Sequence, residues 1–558
     1  MRNILFYRRI VLDAIPAFRC VQTMPFASIR KISMNVSLTI NGKTVTVPDH
    51  YTLLEASEKL GIEIPTLCHS PGHEPFTSCM ICMVHDLDRD ILVPACSARV
   101  QQGLNIATDD DKVHDSRKDT LDLLLSEHVG DCEAPCHRIC PALMNIPLMI
   151  RQIRAEKFHD ALVTVKHDIA LPAVLGRICP APCEKGCTRN QHDGAVSICL
   201  LKRFVADWDL SRDEPYLPPI NPSTGKRVAI VGAGPAGLSA AYYLAQMGHQ
   251  AILFDDHPKA GGMLRYGVPE DKLPRDVLDA EIEQIFRLGV AFQGNTPLKD
   301  KVNLQTWLKE YDAVILAMGA KESEWLSGLG LQASNRGLVI DRDTHTTSMD
   351  RVFAGGGLVS SSKMAVRAAG HGKTMALAAD QFLQRKSLRG RTLRFNSVMG
   401  RLQPGEAHEF EHEAAIHPRV EPSKAGMGLT DHQPIKEAER CFHCDCRKPE
   451  SCKLRLYADR YKSSQKRFRT GKRPEFERMV QQDIVVYESG KCIKCGLCVS
   501  ITKLRGEKFG LTFVDRGFDV RVRVPFNETL KDALTHAARE CIESCPTGAL
   551  SWMNNEEY

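Results

Sequence analysis

The chain has 558 residues, 43% of them hydrophobic and 25% charged, which gives room for three or four domains with cores of ordinary size. That composition excludes a mainly disordered, collagenous or membrane-embedded chain. The formal net charge is only +5, so the balance calls for neither nucleic acid nor an anionic membrane as the main partner. No apolar run is long enough for a spanning helix, so no direct membrane insertion is expected. The informative count is 21 cysteines. A chain this long buries proper cores without disulfide staples. Its cysteines also stand in tight groups, a spacing that suits metal better than bridges. The reading is a reducing compartment and an iron–sulfur protein with several clusters.

Residues 1–33 carry Arg2, Arg8, Arg9, Arg19, Arg30 and Lys31 against one acid, Asp13. That balance is compatible with a mitochondrial transit peptide, which would place the protein in the matrix. The favoured reading is an upstream start with Met34 as the true first residue and a cytoplasmic protein, because domain patterning begins right there. Cys20 lies in that tail and is given no role.

The stretch 34–112 opens with "VSLTINGKTVTVP", a strand, an Asn-Gly turn and a second strand. The short helix "TLLEASEKLG" follows, then Cys68, Cys79, Cys82 and Cys96 in the spacing C-x10-C-x2-C-x13-C. Four thiolates in a small β-rich domain can hold one [2Fe–2S] cluster; a zinc site would more often show two CxxC pairs. The spacing resembles the N-terminal ferredoxin domain of the large iron–sulfur subunit of respiratory complex I and of iron-only hydrogenases. The resemblance implies a β-grasp fold.

The stretch 113–220 is predicted helical and carries two triplets, Cys132, Cys136, Cys140 and Cys179, Cys183, Cys187, each with three residues between neighbours. Six thiolates are two ligands short of two [4Fe–4S] cubanes. The segment resembles the N-terminal domain of the glutamate synthase small subunit and of dihydropyrimidine dehydrogenase, which implies two [4Fe–4S] clusters with ligands crossing between the halves. Carried over, Cys136 and Cys187 serve one cluster, and Cys140, Cys179 and Cys183 the other. The family's opening C-x2-C is absent. His128 and Cys132 stand near those positions, and His128-x3-Cys132 is similar to the His-x3-Cys start of a complex I cluster. A neutral imidazole can replace thiolate on iron and raises the potential; the plainer reading of His128 is a solvated helix-end residue. Where dihydropyrimidine dehydrogenase uses a side-chain amide, this chain has Lys202, and an ammonium cannot ligate iron. Cys199, about one helical turn earlier, is the substitute, or else a buried small residue.

The stretch 225–388 opens with "KRVAIVGAGPAGLSAAYYLAQMGHQAILFDD", a strand, glycine turn, helix and strand. Gly232 allows the tight turn, Gly234 lets backbone approach a pyrophosphate, and Gly237 lets the helix pack on the strand. Pro235 and Ala236 open the helix whose N-terminus receives the anion, and Asp255 ends the second strand, where an acid takes ribose hydroxyls. "AGGMLRYGVPEDKLPRDVLDAEI", with Gly262, Met263 and Leu264, resembles the glutamate synthase small-subunit family just after its FAD strand. "YDAVILAMGA", ending at Gly319 and Ala320, and "VFAGGGLVSSSKMAVRAAGHGKTMALAADQFL" resemble its later FAD-contacting segments. The resemblance implies FAD on a Rossmann-like domain. Gly356-Gly357 stands where the family has Gly-Asp, which implies weaker FAD binding or compensation by neighbouring backbone. The family's NADPH domain, inserted between those two segments, is missing: only 33 residues separate Gly319 from Phe353, too few for a βαβ unit with flanking strands. Gly328, Gly330 and Ala333 match GxGxxA, but no apolar strand precedes them.

Within 389–480, a linker with its own cysteine group, Cys441, Cys444, Cys446 and Cys452 run C-x2-C-x-C-x5-C. Four cysteines in so short a span are too crowded for unstrained disulfides. A single cubane is expected, with zinc as the alternative. Residues 447–478 hold twelve Lys/Arg against four acids, a solvated linker or a docking surface for an acidic partner. In 481–558, Cys492, Cys495 and Cys498 form C-x2-C-x2-C, and Cys545 precedes Pro546. In ferredoxins a Cys before Pro completes a cubane begun elsewhere. The set resembles a ferredoxin-like cluster of the complex I large subunit. Cys541 is left as a spare buried thiol.

The sequence thus predicts a multidomain α/β and α+β protein: a ferredoxin-like module, a helical iron–sulfur domain, a truncated Rossmann-like FAD domain and a C-terminal ferredoxin-like domain. The expected cofactors are FAD, one [2Fe–2S] and about four [4Fe–4S] clusters. The expected function is an oxidoreductase subunit that carries electrons within a larger hetero-oligomeric complex, with electron bifurcation as a refinement. Its partners would be of the NADH-oxidising flavoprotein, hydrogenase or formate dehydrogenase type. Two alternatives stand: a flavin oxidoreductase with its own small substrate, for which His371 is the only nearby acid/base candidate, and a non-enzymatic cluster scaffold or redox sensor.

Overall fold

The computed structural model describes residues 34–553 apart from 336, 361–362, 391–392, 425 and 482–483. The transit-peptide and start-site readings concern residues 1–33 and lie outside the described residues. Strands β1 (Asn35–Ile40) and β2 (Lys43–Pro48) pair antiparallel across Asn41 and Gly42. Both turn residues have positive φ, 48° and 75°, the geometry of the two-residue hairpin turn that Asn-Gly favours. The helix Leu53–Lys59 starts with a capping box, Thr52 Oγ1 accepting from the Glu55 amide and the Glu55 carboxylate from the Thr52 amide. β3 (Met83–Asp86), β4 (Ile91–Pro94) and β5 (Asn105–Ala107) complete a mixed sheet of order β2-β1-β5-β3-β4.

A helical layer follows, built from Pro135–Ile139, Ile146–Arg154, Phe158–Asp168, Pro172–Ile178, Pro182–Lys185 and Ile198–Leu210. Proline opens four of these helices at the first or second position, where its missing N–H costs nothing. Ile146, Met149, Ile150 and Ile153 recur at helical spacing and are all buried.

β6 (Arg227–Val231), β7 (Gln250–Phe254), β8 (Ala291–Gln293), β9 (Ala313–Leu316) and, after the short hairpin β10 (Ala333–Ser334) and β11 (Gly337–Leu338), β12 (Val352–Ala354) belong to the next unit. β6 to β9 and β12 form an all-parallel sheet of order β12-β9-β6-β7-β8. Its central strands are uninterrupted apolar runs because helices cover both faces. Between β9 and β12 stand only the helix Ser323–Gly328 and the β10–β11 hairpin among the described residues. Gly328, Gly330 and Ala333 therefore fall on a helix end, a turn and a hairpin strand. The helix Ala365–Leu383 packs on Pro235–Gln246 at close range: a Cβ on Gly372 would stand 2.3 Å from the Ala236 carbonyl oxygen.

β13 (Arg478–Gln481), β14 (Val485–Glu488) and β17 (Leu550–Trp552) make a C-terminal antiparallel sheet, with β15 (Thr512–Val514) and β16 (Arg521–Arg523) as a separate hairpin. One core joins this end to the first module: Leu67, Cys68 and Ile81 pack in the same cluster as Leu497, Ile501 and Leu550. Phe76 stacks on Phe513 with ring centroids 5.7 Å apart. The stretch before β13 differs from a solvated linker. Arg447 and Arg478 are buried and paired with Glu413 and Glu488, so part of the basic excess is internal.

The helical layer is tied to the parallel sheet by Glu281, whose buried carboxylate accepts from the Ala173 and Val174 amides at 2.7 and 2.8 Å. Burial pushes this carboxyl up from 4.5 to about 7. The folded chain thus keeps a proton that the unfolded chain releases at lower pH. The associated stability is full below about pH 4.5 and is lost as pH rises through about 7, about 3 kcal/mol in all. Thermal midpoints of the loaded protein should fall relative to those of Glu281→Gln between about pH 5 and 8; parallel curves would remove Glu281 from this role.

Candidate functional site

Cys68, Cys79, Cys82 and Cys96 surround one buried spot, each at most 3% exposed. Cys79 and Cys82 lead into β3, and Cys96 follows β4. The Cys79 hydrogen bond draws the Cys68 thiol down to about 5, and the Cys82 bond draws Cys96 down to about 7. The same bonds, with burial, push Cys79 and Cys82 up. The charge of Cys79 bears on Cys82 and that of Cys68 on Cys96, so the four act as one group.

A second group is Cys140, Cys179, Cys183 and Cys199. Cys199 hydrogen-bonds Cys179 and Cys183, and these bonds with burial leave its thiol at about 12. The structure thus brings Cys199 to the three thiols that the sequence joined. Lys202 reaches the same spot, 3% exposed, with Nζ donating to the Leu175 carbonyl at 3.2 Å. Burial opposes its charge, but the charges of Cys199, Cys179, Cys183 and Cys140 outweigh it and raise its pKa. The ammonium sits there as a counter-charge.

The run from Cys441 to Cys452 departs from expectation. Its four thiols do not share one site. Cys136 is deeply buried and next feels the charges of Cys444, Cys187 and Cys441; Cys441, pushed up to about 12 by burial, feels Cys187. Cys441-x2-Cys444 therefore completes the Cys136–Cys187 pair and supplies in space the CxxC missing from the helical segment. Thr188 donates its hydroxyl to Cys444 Sγ at 3.3 Å. Cys446 and Cys452 instead join Cys132, whose charge bears on both, and the Cys446 amide donates to the Cys132 carbonyl at 3.2 Å. His128 comes with Cys132 rather than with Cys136. It is half-buried, burial and Lys491 hold its imidazole down at about 4, and its covered Nδ1 has no hydrogen-bond partner among the described residues. Lys491 faces both His128 and Cys446. A neutral ring with an orphaned buried nitrogen beside three thiols has the chemistry of a metal ligand.

The last group lines a small apolar cavity bounded by Cys492, Cys495, Cys498 and Cys545. Cys541 stays outside it, its Sγ donating to the Cys498 carbonyl at 3.8 Å. All twenty ligands expected from the sequence thus fall into five sets of four, divided differently in the middle. The sets also stand in file. Cys136 lies in the first turn of the helix Pro135–Ile139 and Cys140 caps its end, only Asp445 separates Cys444 from Cys446, Cys452 feels Cys545, and Cys495 feels Cys68.

The glycine fingerprint forms the other site. Gly232 has φ 102°, and a Cβ on Gly237 would meet the Gly232 carbonyl oxygen at 1.8 Å. A Cβ on Gly234 would have nothing nearer than the Gly262 Cα at 3.9 Å: open space where backbone can meet a pyrophosphate. Pro235 and Ala236 open the helix behind it, and the loop with Gly262, Met263 and Leu264 lies over it. Leu264 is buried, and Met263 is 70% exposed. Asp255 accepts from the Ala233 amide at 2.6 Å, so its carboxylate braces the fingerprint loop at the edge where ribose is expected. Gly356 reaches Ala236, and a Cβ on Gly357 would stand 3.2 Å from the Ala320 amide, beside Gly319. The missing Asp at Gly357 thus goes with a tight approach of two loops. His371 accepts from the Gly356 amide at 3.1 Å and is held neutral, at about 4, by burial with His345 and Arg367. That bond is structural. A Cβ on Gly370 would stand 2.5 Å from the Pro141 carbonyl, so the same helix abuts the residue after Cys140.

Three family models match. They are a 2Fe-2S iron-sulfur cluster binding domain at 33–111, the 4Fe-4S cluster domain II of dihydropyrimidine dehydrogenase at 126–214, and an NAD(P)-binding Rossmann-like domain at 230–287. The fold and the thiol sets therefore define an iron–sulfur protein with a dinucleotide-binding domain. Among similar proteins, the NADP(+)-dependent formate dehydrogenase subunit beta of Moorella thermoacetica is 39% identical over 37% of this chain and 31% of its own length. The NAD-dependent dihydropyrimidine dehydrogenase subunit PreT of Salmonella typhimurium is 37% identical over 38% and 51%. The glutamate synthase [NADPH] small chain of Escherichia coli is 36% identical over 34% and 40%. The resemblance to the glutamate synthase small subunit and dihydropyrimidine dehydrogenase holds in the matched segments. The chain spans about a third to a half of the length of these relatives. No helix among the described residues is long and apolar enough to cross a membrane.

Iron counts test the division of thiols. Cys136→Ser and Cys441→Ser should each remove about four iron atoms, and the double variant no more than either. Cys441→Ser with Cys446→Ser should remove about eight, whereas one shared cubane gives about four. Cys541→Ser should leave the count unchanged. Gly234→Val has room for its side chain and should cut bound FAD more than about tenfold with the iron count retained.

Proposed function

We propose that the chain is an electron-transfer flavo-iron–sulfur subunit of a larger redox complex. The observation that carries this reading is the file of five four-ligand sets, one end of which abuts the glycine cradle through Gly370 and Pro141. FAD, when bound, exchanges electrons in pairs or singly, and each iron–sulfur cluster exchanges one at a time. In this reading Gly232, Gly234 and Gly237 with the helix N-terminus at Pro235 and Ala236 receive the pyrophosphate. Asp255 steadies that loop, and Gly319, Gly356 and Gly357 close over the cofactor.

The thiols of Cys68, Cys79, Cys82 and Cys96 would hold the [2Fe–2S] cluster, on a mixed sheet that we read as a β-grasp. The other four sets, one of them with His128, would hold [4Fe–4S] clusters, the last on a ferredoxin-like C-terminal domain. The domain division is 34–112, 113–220, 225–388, 389–480 and 481–558, with 389–480 bound into its neighbours. Lys202 and Lys491 offset negative charge at two sets, which favours the reduced state there. The matched relatives are oxidoreductases by name, two of them called subunits. They support partner redox subunits; we read those partners as of formate dehydrogenase, hydrogenase or NADH-oxidising type, in a cytoplasmic setting. In the stand-alone reading His371 is the acid/base candidate, and its Nδ1 is taken by the Gly356 amide.

Purified anaerobically, the chain should carry about 18 iron atoms and one FAD. NADH or NADPH alone should leave its visible spectrum unchanged, while dithionite bleaches it. Rapid bleaching by either nucleotide would show a nicotinamide site and make this chain a complete dehydrogenase.

A further inference from the structure

A cleft of about 780 Å³ opens beside the set that contains His128 and Cys132. Its walls are the segments 395–404 and 463–473, with Arg138 from the helical layer. Six cations line it, Arg138, Arg401, Lys466, Arg469, Lys472 and Arg473, and no carboxylate does. The first five make no ion pair among the described residues, whereas Arg473 is paired with Glu406 and the neighbouring Arg467 with Asp119 and Asp122. Arg138, Arg401, Lys466 and Lys472 are exposed at its rim.

The floor of the cleft is one residue thick. Gln465 donates to the His128 carbonyl at 3.0 Å, and Asn396 accepts from the Glu133 amide at 2.7 Å. Ser397, between the cleft residues Asn396 and Val398, sends its amide toward Cys132 Sγ at 3.4 Å. A partner seated in the cleft would therefore stand against the backbone that carries His128 and Cys132.

We propose that this cleft docks an acidic protein carrying a one-electron centre and that electrons pass there singly to or from the His128–Cys132 set. The inference rests on the electron-carrying reading of that set. A cluster exchanges one electron at a time, which a one-electron centre matches. In the transfer one set is oxidised by one electron and the partner centre is reduced by one, with no bond made or broken. The cations favour a protein over a small phosphate ligand because they are spread on flexible rim side chains around an open cleft. Unpaired charge in a concave surface steers an oppositely charged protein and speeds its encounter.

The test uses the iron-loaded full chain, reduced with dithionite and desalted, mixed with an oxidised acidic plant-type ferredoxin in stopped flow. The second-order rate should fall more than about tenfold from low salt to 0.5 M salt. Lys466→Glu/Arg469→Glu/Lys472→Glu should slow it by at least about tenfold at low salt and flatten the salt dependence. Iron content and thermal midpoint should stay at wild-type values, because these side chains have no internal partners. The same variant should not slow reduction of a basic c-type cytochrome. A loaded variant that reduces ferredoxin at the wild-type rate overturns the proposal alone. So does a variant that loses binding of inorganic pyrophosphate while its ferredoxin rate is unchanged, which would make the cleft a small-anion site. A chain that takes up no iron at the Cys132 set overturns the electron-carrying reading, and this proposal with it.

Discussion

Asp445 stands between two cysteines whose side chains go to different sites. Its carboxylate is held by both terminal nitrogens of Arg151, at 3.1 and 3.0 Å. Burial works against its charge, yet Arg151 keeps the carboxyl at about 2. Such a two-point contact fixes orientation as well as distance. Because Arg151 sits on the helix Ile146–Arg154, the pair sets the tripeptide Cys444-Asp445-Cys446 at a fixed place in the helical layer. Cys444 can then face Cys136 and Cys187 while Cys446 faces Cys132. That anchor works together with the core shared by the first and last modules and with the Glu437 carboxylate on the Ser197 amide to fix how the C-terminal third meets the N-terminal half.

The surroundings of the thiols follow one electrostatic rule. Buried thiolates repel each other and lose water, so most of these cysteines are pushed up in the absence of a counter-charge. The chain supplies cations at selected places. Lys202 serves the Cys140 set, and Lys491, paired with Glu488 at 2.5 Å, serves the Cys446 set. The Thr188 hydroxyl at Cys444 adds a smaller correction, and the Ser397 amide points at Cys132 Sγ. These second partners distinguish sites whose ligands alone are nearly alike, and they are where differences in potential would arise.

Local chemistry was legible in the sequence, and long-range pairing was not. Asn41-Gly42 announced its hairpin because a two-residue turn needs two left-handed residues. The fingerprint from Gly232 to Gly237 and the triplet from Cys492 to Cys498 were readable because their function is set by spacing along a few residues. The division of the run Cys441–Cys452 was hidden, since the spacing of a motif does not say which distant segment it meets. The signal was arithmetic: the helical stretch lacked a C-x2-C, and an extra C-x2-C lay near the C-terminus. Likewise His128-x3-Cys132 lacked its following thiols, which Cys446 and Cys452 provide. The inward-facing arginines 447 and 478 could not be told from solvated ones by composition, because their partners Glu413 and Glu488 are set by the fold.

The shared tripeptide also orders assembly of the protein in time. Chains emerge from the ribosome N-terminus first. The set of Cys68, Cys79, Cys82 and Cys96 and the set of Cys140, Cys179, Cys183 and Cys199 each lie within one short stretch and are complete early in synthesis. The Cys136–Cys187 pair must wait about 250 residues for Cys441 and Cys444, and the His128–Cys132 pair waits longer still. Two half-built sites are therefore present on every nascent chain, with thiols facing a gap until the tail folds back. Iron delivery to the middle of the file is then a late event, and a chain truncated before Cys441 would lose the centre of its wire.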